Sequence, residues 1–209
     1  MKFSSKIIED LVNQFSTLPG VGKKSALRMA LHMAKQPQDR IQQMSQSLLR
    51  LSRDLRQCKE CHAYADTELC EICMNPTRDR QLLCVVESIK DVLAIEETSQ
   101  FKGVYHILGG IISPIDGIGP NALNIDSLQR RLFRSPCKEL IFALRPSIEG
   151  ETTAYYISRN LQLPYEIKYS QLARGISFGS DLEFADELTL ARSILARTPY
   201  SIQDQLLTG

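Results

Sequence analysis

Hydrophobic positions along the chain follow two different periods. In residues 1–56 they recur every three to four positions: Ile7, Ile8, Leu11, Val12 and Phe15, then Ala26, Leu27, Ala30, Leu31 and Ala34, then Ile41, Met44, Leu48, Leu51 and Leu55. That spacing predicts amphipathic helices. From residue 80 to about 170 the pattern changes to short, continuous apolar runs: "QLLCVVES", "VYHILGG", "ELIFAL" and "YEIKYS". Runs of this length and type are expected of strands buried on both faces. Helical patterns separate them: "IKDVLAIEETS", then "SLQRRLFR" with Asp126 as its expected N-cap, then "ETTAYYISRNLQ". Strand and helix in alternation predict an α/β fold with a mainly parallel sheet covered by helices. A last helix is expected in "DLEFADELTLARSILAR", acidic at its start and basic at its end, as the helix dipole favours.

The expected organisation is 1–56 as a helical region, 57–79 as a small cysteine-rich module, 80–175 as the α/β domain and 176–209 as a C-terminal segment. At 209 residues, 43% hydrophobic and 23% charged, the composition is that of a globular protein. No apolar run approaches the ~20 residues of a membrane span, and the N-terminus lacks the apolar core of an export signal. A cytoplasmic location is therefore expected, with no membrane partner. The net charge of +1 conceals an asymmetry: residues 1–57 hold ten basic and four acidic side chains, and the remainder fifteen and twenty. A basic end on an acidic body suits a polyanionic partner for the N-terminal region, although solvated helix faces also carry such charge.

Cys58-x2-Cys61-x8-Cys70-x2-Cys73 is the most specific motif. Two such knuckles bring four thiolates to the corners of a tetrahedron, the closed geometry of structural Zn²⁺. Two disulfides are the alternative, disfavoured in a reducing compartment. Cys84 and Cys137 read as ordinary buried thiols, and His62 as a competing ligand that a full set of sulfurs leaves unneeded.

"FSTLPGVGKKSALRMALHM" places Gly20-Val21-Gly22 between two helical patterns, with Leu18, Val21 and Ala26 expected to pack the helices together. The glycines allow close backbone approach, and the helix that starts at Lys23 offers free N–H groups to an anion. The string is not a P-loop, because Lys24 rather than Ser or Thr follows Lys23 and no strand precedes it. It resembles a helix–hairpin–helix, a motif that binds DNA backbones without reading sequence. Lys23, Lys24 and Arg28 are the expected phosphate contacts, with Gly20 and Gly22 shaping the turn. An ordinary helical corner is the competing reading.

Glu87 ends the first strand of the α/β region; Glu149 and Glu151 follow the third. C-terminal ends of parallel strands gather on one side of a sheet, where ligands bind. Three carboxylates there would hold Mg²⁺, pair with Lys90 or Arg145, or, for Glu151, simply favour a helix N-terminus.

Taken together, "LPGVGKKSALRMA", the cysteine knuckles, "VVESIKDVLAIEETSQFKGVYHILGGIISPIDGIGP", "PSIEGETTAYYI" and "ARGISFGSDLEFADELTLARSIL" closely resemble the bacterial RecR family of recombination mediators over essentially the whole chain. The resemblance implies a helix–hairpin–helix, a four-cysteine zinc finger, a Toprim domain with Glu87, Glu149 and Glu151 as its acidic signature, and a Walker-B-like "GSDLEFAD" containing Asp181. It further implies recombinational DNA repair with the mediators RecF and RecO, which help load RecA on gapped DNA. Ring-like homotetramers joined through their terminal regions are implied as well, with the Toprim acids facing RecO. One departure stands out: Arg145 precedes Pro146 where the family pattern has Asn, and a cation there would neutralise the acids. A metal-dependent Toprim nuclease is the alternative function. It is disfavoured because no histidine among His32, His62 and His106 has an evident nucleophile partner and no P-loop is present.

Overall fold

The computed structural model describes residues 5–176 and 179–199. The chain divides after Leu55 into two compact units. Among the described residues no helix is long and apolar enough to cross a membrane.

The first unit is wholly helical: α1 (Lys6–Phe15), α2 (Lys23–Met33) and α3 (Gln38–Asp54). Ser5 caps α1 by accepting the Ile8 N–H. Small residues on α2 let the two helices approach, so Val12 packs on Ala26 and Ala30, with Ile8, Leu11, Phe15, Val21 and Leu27 around them. Leu18 does not join them as the spacing predicts. It lies in the turn after α1, where its N–H bonds the Phe15 carbonyl, and stays half exposed. None of the seventeen residues of α3 is buried.

The second unit starts with a two-stranded antiparallel hairpin, β1 (Arg56–Gln57) and β2 (Tyr64–Ala65), followed by the single turn α4 (Glu71–Met74). Its sheet consists of β3 (Asp79–Val86), β4 (Gly103–Ile107), β5 (Glu139–Ala143) and β6 (Lys168–Gln171), all parallel, in the order β4-β3-β5-β6. The helices α5 (Ile89–Glu97), α6 (Ile125–Arg134) and α7 (Ile148–Asn160) connect successive strands, so the predicted α/β rhythm is the observed one. Side chains alternate along β3. Leu83 and Val85 enter a core with Leu128, Leu132, Leu140 and Ile157, under α6 and α7. Cys84 and Val86 face the other way, into a second core with Val92 of α5 and the four knuckle cysteines. The cysteine module thus covers part of one sheet face.

Three local expectations change. Asn124, not Asp126, occupies the N-cap position of α6; its side chain donates to the Ile107 carbonyl at 2.9 Å and ties the helix start to the end of β4. The helix after β5 begins at Ile148, three residues before Glu151, because the Ser147 hydroxyl accepts the Gly150 N–H at 3.2 Å. The C-terminal helix is shorter than 181–197. A 3₁₀ turn at Leu182–Phe184 precedes α8 (Glu187–Leu195), which Asp186 caps through the Thr189 N–H at 2.9 Å.

Candidate functional site

The cysteine knuckles are built by backbone hydrogen bonds to sulfur and by a left-handed residue. The Cys58 N–H donates to the Ala63 carbonyl at 2.7 Å and the Ala63 N–H to Cys61 Sγ at 3.5 Å, a reversal made possible by His62 at φ +64°. In the second knuckle the Cys73 N–H donates to Cys70 Sγ at 3.5 Å. The four sulfurs lie within 4.8 Å of one another, and all four residues are buried. Such crowding favours one thiolate at the expense of another: hydrogen bonding from Cys61 lowers the Cys70 pKa, and the bond to Cys70 raises that of Cys61. Four convergent soft donors in a water-poor pocket fit a tetrahedral Zn²⁺ and leave no open position for catalysis. His62 turns elsewhere; its Nε2 lies 2.7 Å from Ser127 Oγ and its ring packs edge-on against His106. Cys84 and Cys137 are single buried thiols, pushed by burial to about 12 and about 11.

The module is fastened to the α/β domain by a residue whose importance the sequence pattern does not signal. Arg131 of α6 is buried; its Nη1 donates to the Tyr105 carbonyl of β4 at 2.5 Å and to the Glu60 carbonyl of the first knuckle at 3.1 Å. Its Nε lies 3.6 Å from the Glu60 carboxylate, which Arg134 also approaches at 3.1 Å. His106 sits beside it, fully buried. Its Nε2–H donates to the Asn124 carbonyl at 2.8 Å while Nδ1 has no partner among the described residues, and burial lowers its pKa to about 3. It is therefore a neutral core histidine.

At the hairpin of the first unit, Gly20 adopts φ +76°, where a side chain would be strained. Gly22 is the N-cap of α2, and among the described residues no side chain caps the N–H groups that follow it. Lys23 and Lys24 occupy the first two helical positions, and both are exposed, as is Arg28. Lys24 and Arg28, one turn apart, line an open hollow of about 430 Å³ together with His32 and Lys35. Lys35 extends the basic stripe; its spacing of seven from Arg28 is the signal that finds it.

The Toprim acids are not brought together. Among the described residues the four cysteines form the only metal-competent cluster of three or more His, Cys, Asp or Glu side chains. Glu87, at the end of β3, is nearly buried and gripped by Arg145: both carboxylate oxygens accept from Nε at 3.0 Å, one from Nη2 at 2.7 Å and one from the backbone N–H at 2.9 Å. Of the two partners considered for Glu87, Lys90 and Arg145, it is Arg145 that pairs with it. Glu149 lies in the first turn of α7, where a hydrogen bond from Ser147 and the Arg145 charge hold it below the usual carboxylate range. Glu151 is paired with Arg174 and, at 2.8 Å, with Arg192 of α8, and the Arg174 hydrogen bond is the main cause of its lowered pKa. Gly150 between them is required by space, since a Cβ there would meet the Arg145 carbonyl oxygen at 2.1 Å. Asp181 is exposed at the start of the 3₁₀ turn, within the described Walker-B-like stretch; residues 177 and 178 just before that stretch, and 200–209 of the tail, lie outside the described residues.

Comparison with known proteins follows the same order of modules. Residues 8–51 match the RecR helix-hairpin-helix family, 55–75 the RecR four-cysteine zinc finger domain, 81–173 the Toprim domain and 175–198 the RecR C-terminal family. The recombination protein RecR of Flavobacterium johnsoniae is 52% identical over 200 residues, 96% of this chain and 97% of its own length. The protein of the same name from Parabacteroides distasonis is 50% identical over 96% of each chain, and that from Porphyromonas gingivalis 49% over the same shares. With about half of its residues shared across nearly the full length of such relatives, the chain belongs to the RecR family of recombination proteins.

Proposed function

We propose that the chain is a non-enzymatic, DNA-binding recombination mediator that acts in recombinational repair. The observation that carries this reading is the glycine hairpin: an uncapped helix N-terminus with Lys23 and Lys24 on it and Arg28 and Lys35 along the adjoining stripe. Free N–H groups and the helix dipole attract a phosphate without any contact to a base. Zn²⁺ held by Cys58, Cys61, Cys70 and Cys73 has a structural role in this reading. Glu149, the least engaged of the Toprim acids, faces a protein partner, RecO, with RecF and RecA served downstream. Self-association into a clamp-like tetramer in the cytoplasm completes the reading, with the modules bounded at about residues 56, 79 and 175.

The test is fluorescence anisotropy on labelled gapped duplex DNA across a salt series. Binding by the parent chain weakens steeply with salt, and the triple variant Lys23→Ala, Lys24→Ala, Arg28→Ala loses about three from the slope of log affinity against log salt, close to one per phosphate contact removed. Unchanged binding would move the DNA surface elsewhere. In the same samples, Mg²⁺ or Mn²⁺ leaves the DNA uncut; cleavage abolished by Glu149→Ala would favour the nuclease reading instead.

A further inference from the structure

The Toprim acids meet cations that belong to the chain itself. Glu87 is engaged by Arg145 through both carboxylate oxygens and by the Arg145 backbone N–H. Glu151 is engaged by Arg174 and Arg192. A Mg²⁺ site needs carboxylate oxygens free to converge on one point at about 2.1 Å, from an ion that gives up its water reluctantly. Here two of the three acids already have guanidinium partners, and they do not converge with Glu149 on a common point.

The Arg145 backbone is fixed at the turn, and its side chain, 61% exposed, is held by the Glu87 carboxylate. The Arg145 carbonyl accepts the Ser147 N–H at 2.8 Å and lies against Gly150 so closely that no Cβ fits between them. That packing fixes the point from which the side chain reaches the Glu87 carboxylate. A planar, permanently charged guanidinium that reaches both oxygens of a carboxylate serves as a fixed counter-ion in a way that a hydrated metal does not.

We propose that Arg145 stands in this Toprim centre where a divalent cation would otherwise bind, with Arg174 and Arg192 filling the same role for Glu151, and that the centre takes up no Mg²⁺. The acids then act as internal anchors. Glu87 fixes the turn between β5 and α7, and Glu151 holds Arg174 and, through Arg192, α8 against α7. This inference is independent of how the chain binds DNA.

The experiment uses the zinc-loaded, full-length chain and Mn²⁺ as probe, because Mn²⁺ prefers oxygen ligands and its free aqueous ion has a strong EPR signal that binding removes. The parent chain is expected to leave the signal of millimolar Mn²⁺ at its protein-free intensity, and Arg145→Lys, which keeps the charge, to behave likewise. Arg145→Ala frees the Glu87 carboxylate and removes signal for about one Mn²⁺ per chain, a gain abolished by adding Glu87→Gln. Signal loss in the parent chain that disappears in Glu87→Gln or Glu149→Gln would overturn the proposal. So would a folded Arg145→Ala that takes up no Mn²⁺, since the arginine would not then be what excludes the ion. Should Arg145→Ala not fold, the parent-chain titration still decides, with its melting temperature expected to be unmoved by Mg²⁺.

Discussion

Replacing Arg131 with Met tests how the zinc module is joined to the sheet. The guanidinium donates to two backbone carbonyls, Tyr105 at 2.5 Å and Glu60 at 3.1 Å, from a side chain that is 7% exposed. Each charge-assisted hydrogen bond of this kind is worth about 1.5–3 kcal/mol, so losing both removes about 3–6 kcal/mol. Two effects reduce the loss. The Met side chain keeps the packing of the aliphatic stem, and Glu60 retains Arg134 at 3.1 Å, so its carboxylate is not left unpaired. A net cost of about 3 kcal/mol remains, or roughly 6–12 °C in melting temperature for a unit of this size. Urea unfolding followed by circular dichroism measures it, and the rate of zinc transfer to a colorimetric chelator reports the knuckle directly. Arg131→Met is expected to lower the midpoint and speed transfer. Arg134→Ala, at the exposed end of the same carboxylate, is expected to cost under about 1 kcal/mol. An Arg131→Met loss below about 1 kcal/mol with unchanged zinc transfer would refute the reasoning.

Other sites carry outcomes of their own. Gly150→Ala places a Cβ 2.1 Å from the Arg145 carbonyl oxygen and should destabilise the chain by about 2 kcal/mol or more; a melt within about 0.5 kcal/mol of the parent would show that α7 can shift freely. Glu96 is held below its usual pKa chiefly by the hydrogen bond from Arg78, with Tyr105 also donating at 2.6 Å. Because the folded-state pKa is the lower one, this stabilisation is complete above the ordinary carboxylate range and fades as pH falls through the depressed value. Glu96→Gln should therefore cost about 1–3 kcal/mol near neutrality, with the gap to the parent narrowing in acid; a gap that stays constant with pH would dismiss the carboxylate's charge as the cause. Cys58→Ser with Cys61→Ser should abolish zinc in elemental analysis and cost folding or solubility, and a well-folded zinc-free chain would contradict a structural role for the metal.

Much of this architecture can be read from local patterns. The runs around Leu83–Val86 and Leu140–Ala143 read as strands because both faces are covered, and the cysteine spacing predicts a cluster that the backbone then forms. Helix starts are less legible. Asn124 sits at the N-cap of α6, yet its side chain is used on the Ile107 carbonyl, a contact set by the sheet rather than by the helix. Gly150, a poor helix former, hides the true start of α7 at Ile148. The partners of Glu151 are beyond local reading, since Arg174 and Arg192 lie 23 and 41 positions away in sequence. Arg131 reads as an ordinary surface charge on an amphipathic helix, and only the fold turns it inward. Arg145 is legible as a nearby cation, but its hold on both oxygens of Glu87 depends on how β3 and β5 are registered.

The Cys61 carbonyl accepts the Ile107 N–H of β4 at 2.9 Å. Since β4 is the outermost strand on its side of the sheet, that bond satisfies a donor on an edge that another chain's strand could otherwise template upon. The first knuckle is thus a guard against strand addition as well as a staple. Demetallation should then reveal itself as self-templating: a zinc-stripped chain would give thioflavin-positive, concentration-dependent assemblies before it loses its far-ultraviolet signature.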